Sequence, residues 1–92
     1  MTELYNSAQA KALFEREAVL MGTVDMVPDF RVAALLGKEA VEHAHRLDSA
    51  RPGRYTNGYG AGSYTLDALT FRGFQAAVSF YNVQQLRKEA RA

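Results

Sequence analysis

The chain has 92 residues, 48% of them hydrophobic and 23% charged, with a net charge of +1. This length sets one domain over residues 1–92, and the composition disfavours a disordered chain, which would be poor in apolar residues and biased in charge. Cysteine is absent, which excludes disulfides, iron–sulfur clusters and zinc–thiolate sites and fits a cytoplasmic protein.

A chain this short buries only about 60–65% of its unfolded surface, so association with other subunits would add to a modest core. The opening "MTELYNSAQAKALFERE" has early acidic residues and no apolar h-region, unlike a signal peptide. No apolar run approaches the length that spans a bilayer, so no membrane partner is expected. Charge is uneven: residues 1–45 hold four basic and seven acidic side chains, residues 46–92 seven basic and three acidic. Such a dipole orients subunits or attracts an acidic partner. It falls short of the concentrated basic patch of a dedicated nucleic-acid binder.

The pattern predicts a mainly α fold with three helices, about 3–21, 29–48 and 67–89, and a short β-hairpin over 54–65. The first helix has Ala10, Leu13, Phe14, Leu20 and Met21 on its apolar face, with Glu17 at the edge. Gly22 is placed to end it in a left-handed conformation. "GTVDMVPDF" connects to the second helix, which Asp25 or Asp29 is placed to cap, with Pro28 in its first turn. The second helix aligns Phe30, Ala33, Gly37, Ala40, Val41, Ala44 and Leu47. Gly37 in its interior would cost about 1 kcal/mol relative to alanine.

"RPGRYTNGYGAGSYTLD" at 51–67 holds four of the seven glycines and three of the five tyrosines. "RYT" and "SYT" around "NGYGAG" read as two strand arms and a turn. Asp67 then reads as the N-cap of the last helix, with Leu66 and Phe71 as a hydrophobic staple. That helix carries two apolar stripes about 180° apart at helical spacing: Phe71, Phe74, Val78 and Tyr81 on one side, and Leu69, Gly73, Ala76, Phe80 and Val83 on the other. Either the helix is sandwiched within its own chain, or the second stripe meets another chain.

Enzymatic and cofactor signatures are missing. A phosphate loop needs a lysine, and none lies between Lys38 and Lys88. The dinucleotide pattern starts with Gly58 and Gly60 but meets Ser63 at its last position, without a βαβ unit. In "EHAH", His43 and His45 point about 200° apart on a helix and share no metal, and Glu39 with His43 makes only a weak pair; both histidines read as solvent-facing. Glu39, Glu42 and His43 form no marked acid–base trio, and no serine sits in a nucleophile elbow. No enzyme activity, cofactor or metal is expected.

The residues point instead to a non-catalytic protein–protein interaction protein, a homo-oligomer or a small subunit of a larger assembly. Arg51, Arg54, Tyr55, Asn57, Tyr59 and Tyr64 form the expected partner-binding loop, since tyrosine and arginine dominate protein contacts at low entropy cost. Leu69, Gly73, Ala76, Phe80 and Val83 form the expected oligomer interface. One alternative is a small nucleic-acid-associated protein in which Arg51, Arg54, Tyr55, Tyr59 and Tyr64 stack on bases and neutralise phosphates. Another is a small inhibitor of a larger enzyme or nucleoprotein. The order helix, hairpin, helix is similar to that of the small head–tail joining proteins of tailed bacteriophages. That likeness is one of architecture; no motif residue carries it and no site follows from it.

Overall fold

A computed structural model describes residues 4–23, 25–47, 53–57 and 64–91, leaving out the side chains of 53–57, 64–66 and 91. Its elements in chain order are α1 (Ser7–Leu20), β1 (Val27–Pro28), α2 (Asp29–Leu36), α3 (Lys38–Leu47), β2 (Gly53–Asn57), β3 (Tyr64–Leu69) and α4 (Phe71–Arg91). The fold is mainly helical with a small antiparallel sheet, and it has four helices among the described residues where the sequence pattern predicts three.

α1 starts later than predicted because Asn6 and Gln9 form a capping box. The Gln9 N–H donates to Asn6 Oδ1 at 2.8 Å, and the Asn6 N–H donates to Gln9 Oε1 at 3.0 Å. The helix ends as predicted at Gly22, whose φ is +78°. The Gly22 N–H donates to the Val19 carbonyl at 3.0 Å and the Thr23 N–H to the Ala18 carbonyl at 2.8 Å, completing a Schellman motif. The buried face is Ala10, Leu13, Phe14, Glu17 and Ala18. Glu17 is therefore interior rather than marginal, and Leu20 is exposed.

The single second helix is in fact two. Gly37 adopts φ +96° and ψ 153°, a conformation reserved for glycine, and breaks the run into α2 and α3. The break shifts the helical phase, so Val32 and Leu36 enter the core while Phe30 and Leu47 are exposed. Asp29 does not cap α2. Pro28 occupies the N-cap position without a side-chain bond, and Asp29 Oδ2 pairs with His45 Nε2 of α3 at 2.7 Å. An added Cβ on Gly37 would meet nothing within 4 Å, so Gly37→Ala should cost backbone strain alone, about 1–3 kcal/mol. A urea titration checks this; an unchanged midpoint would mean that α2 and α3 fuse into one helix at no cost.

β3 is the central strand of a sheet ordered β1-β3-β2, antiparallel throughout. Arg54 pairs with Asp67 and Asn57 with Tyr64, and the turn expected over "NGYGAG" lies, from Gly58 on, outside the described residues. The predicted N-cap at Asp67 is thus a strand residue, and α4 begins four residues later, at Phe71. The reason is the sheet: Asp67 and Ala68 pair with Arg54 and Gly53 of β2, and Ala68 and Leu69 with Pro28 and Val27 of β1, which holds "DAL" extended. The Phe74 N–H donates to the Thr70 carbonyl at 2.8 Å, opening the helix directly after the strand.

The core lies between α4, α1 and the α2–α3 pair. Phe14 meets Phe71 and Phe74 at ring-centroid distances of 5.2 and 5.4 Å. Val27, Val32, Leu36, Ala40, Val41, Ala44, Ala77 and Val78 belong to the same buried cluster, with Ala10, Leu13, Ala18 and Leu69. The radius of gyration is 13.9 Å, above the roughly 12 Å of a compact chain of this length, so the molecule is elongated.

Candidate functional site

The polar side chains that suggest chemistry in the sequence are occupied in holding helices together. His43 stacks on Phe80 with centroids 4.7 Å apart. His45 is bound to Asp29, and Gln84 Nε2 donates to Glu39 Oε2 at 2.7 Å. The histidines are therefore half-buried bridges to α4 and α2 rather than a solvent-facing pair. Glu39–Gln84 and His43–Phe80 also set α3 antiparallel to α4.

α1 is antiparallel to α4 as well. The Tyr5 N–H donates to Asn82 Oδ1 at 3.0 Å, and Asn82 Nδ2 donates to the Tyr5 carbonyl at 2.8 Å. The Tyr5 and Tyr81 rings lie 5.6 Å apart at this same point. Below it, Tyr5, Ser7, Gln75, Ser79 and Asn82 edge an open polar cleft of about 300 Å³. Among the described residues its lining is uncharged.

The unusual feature is how α4 distributes its apolar residues. Up to Tyr81 its inward side is apolar, with Phe74, Ala77 and Val78 buried, and its outward side is polar, with Arg72, Gln75 and Ser79 exposed. Beyond Asn82 the sides exchange. Tyr81, Gln85 and Lys88 face a groove shared with Leu36, Gly37 and Lys38 at the α2–α3 break. Val83, Leu86 and Ala90 fall within about 60° of one another and about 180° from that groove, at 100° per residue. Val83 is 47% and Leu86 51% exposed. A helix that needed only its own chain would keep one stripe to the end.

The expected interface residues divide accordingly. Leu69 is a buried strand residue, not part of a helical stripe, and Gly73 is buried against it: a Cβ on Gly73 would stand 3.1 Å from Leu69 Cδ2. Ala76 and Phe80 are half-buried beside α3, and Val83 is exposed. Leu86 and Ala90 belong to the same outward surface but were not in the predicted set. Their signal was present in the spacing 83, 86, 90, which is a stripe of its own. Of the predicted binding loop, Arg51 and Tyr59 lie outside the described residues. Arg54, Tyr55, Asn57 and Tyr64 contribute described backbone to the β2–β3 ladder, but their side chains lie outside the description. No helix among the described residues is long and apolar enough to cross a membrane. In comparisons with known proteins, no family model, curated protein or solved structure matches the chain.

Proposed function

We propose that the chain is a non-catalytic assembly subunit that docks on protein through the C-terminal half of α4. The reading rests on the exchange of sides at Asn82. Val83, Leu86 and Ala90 form an apolar stripe on the side of α4 turned away from its own body. Aliphatic side chains repeated at helical spacing and left in water lose about 1.5–3 kcal/mol each relative to full burial, and a protein partner supplies that burial. Arg87 beside the stripe suits the charged rim that surrounds an apolar contact. Half-buried Phe80, stacked on His43, extends the surface toward α3.

Light scattering on the wild type and on Val83→Asp/Leu86→Asp tests the reading. The wild type is expected well above its 10.2 kDa monomer mass, and the variant, whose changes touch exposed positions only, is expected as a folded monomer. A variant with the wild-type mass would refute the reading. Binding of single-stranded nucleic acid that weakens steeply with salt would replace it with the nucleic-acid alternative.

A further inference from the structure

We infer that Gly37 is a hinge at which two copies of this chain exchange their N-terminal units, α1 to α2, to form a domain-swapped dimer. The exchange uses neither Val83 nor Leu86 and stands apart from the docking reading above.

The bend at Gly37 is a full reversal made by one residue. Asp29 and His45 lie equally far from Gly37 in sequence, on opposite sides, yet their side chains meet at 2.7 Å. In an unbroken helix the same two residues would stand about 24 Å apart. No loop intervenes, since α2 ends at Leu36 and α3 begins at Lys38. Gly37 holds φ +96° and ψ 153°, a conformation other residues do not adopt without strain. A Cβ on it would meet nothing within 4 Å. No neighbour wedges the bend; it persists because α2 and α3 pack on each other. Alanine, leucine, lysine and glutamate flank it on both sides, and all favour helix. Returning Gly37 alone to helical angles joins α2 and α3 into one helix over 29–47. The joined helix gains backbone bonds from Lys38, Glu39 and Ala40 to Ala34, Leu35 and Leu36, which two separate helix ends lack.

The core opposes opening. Straightening Gly37 in a single chain pulls α1, β1 and α2 away from the rest and bares Val32, Leu36, Ala40, Val41 and Ala44. A second opened copy restores that burial. The units meet through Tyr5 with Asn82, Phe14 with Phe71 and Phe74, Val27 with Leu69, and Asp29 with His45. These contacts are non-covalent and none of them includes the hinge, so each forms equally well between chains. The exchanged dimer repeats the core of the monomer and differs at Gly37, with a two-fold axis between the joined helices. A short connection under strain drives such exchange, and a longer one removes the drive.

The chain has no cysteine, so exchange can be given a covalent record. Val27 and Leu69 are direct partners across the β1–β3 ladder. Such Cα atoms stand about 4.5–5.5 Å apart, within reach of a disulfide. Val27→Cys/Leu69→Cys is refolded from urea with oxidised glutathione at micromolar and at millimolar concentration, with and without Gly37→Ala. A closed monomer locks the disulfide within one chain. An exchanged dimer locks two chains together and survives on a denaturing, non-reducing gel. The expected result is a single-chain product at micromolar concentration and a covalent dimer at millimolar concentration. Gly37→Ala should lower the concentration of half-conversion about a hundredfold, roughly tenfold for each of the two hinges relieved. Two extra glycines inserted after Gly37 should abolish the dimer. Pro28→Cys/Ala68→Cys, the adjacent pair in the ladder, repeats the test in case the first pair does not fold. If Gly37→Ala does not fold, the unsubstituted hinge at millimolar concentration decides alone. Dimers in solution that run as single chains on the gel would overturn exchange and mark surface association instead. Monomer alone at every concentration would overturn it as well. A covalent dimer undiminished by the longer connection would overturn Gly37 as the hinge.

Discussion

Phe74→Ala is expected to remove a third or more of the stability of the fold. Phe74 is fully buried, and its ring meets Phe14 edge-on at 5.4 Å. It is placed where α1 crosses the first turns of α4. Truncating a buried phenylalanine costs about 3–5 kcal/mol, combining lost transfer energy with the cavity left behind. A chain of 92 residues has a typical total of about 5–14 kcal/mol. Collapse of the site would lower the cost, but both neighbours are fixed: Phe14 also packs on Phe71 at 5.2 Å, and Val78 one turn away is itself buried. The expected result in urea is a midpoint reduced by a third or more with an unchanged slope. Phe80→Ala is the control. Phe80 is half-buried with one face on His43, so its truncation should cost well under half as much. Equal losses would mean that the helix is held as firmly by α3 as by α1.

Much of this arrangement was readable from residue spacing. α1 has Ala10, Leu13 and Phe14 at helical spacing and a glycine in position to end it, and the structure places these as that pattern requires, whereas the expected Leu20 is exposed and Glu17 and Ala18 are buried instead. The inward stripe Phe71, Phe74, Val78 and Tyr81 was equally plain, because four large side chains at helical spacing have few other uses. What escaped were features decided by tertiary partners. "TLDAL" reads as a helix start in isolation, with an aspartate before an apolar run. It is a strand because β1 pairs with its far edge, and a two-residue strand containing proline leaves no signal of its own. Gly37 looked like a tolerated interior glycine; only its backbone angles reveal a break, and the break then resets which side of α3 is buried. In α4 the two stripes were seen as parallel along the whole helix. In the structure they divide it lengthwise: the first half is buried on two sides and the second half is turned outward. That distinction depends on where α1 and α3 stop, which no local pattern records.

Glu17 is the residue most at odds with its type, and it gives the second large effect. It occupies an apolar position of α1 and is only 1% exposed. Arg31 of α2 donates from Nη2 to Glu17 Oε1 at 2.5 Å, while Oε2 is buried without a hydrogen bond. Arg31→Met removes the cation and strands a carboxylate in the core. Breaking a buried pair in this way costs about 3–5 kcal/mol when no substitute is near. Arg31 is partly solvated and Arg16 lies 3.9 Å from Oε2, so the loss should fall at or just below that range, about 2–3 kcal/mol. Glu17→Met/Arg31→Met should then recover to within about 1 kcal/mol of the wild type, because a buried pair replaced by packed apolar side chains loses its desolvation penalty along with its attraction. The double variant being more stable than the single one is the critical result. If both are equally weak, the pair does more than neutralise itself: it ties α1 to α2, and its loss loosens the end of α1.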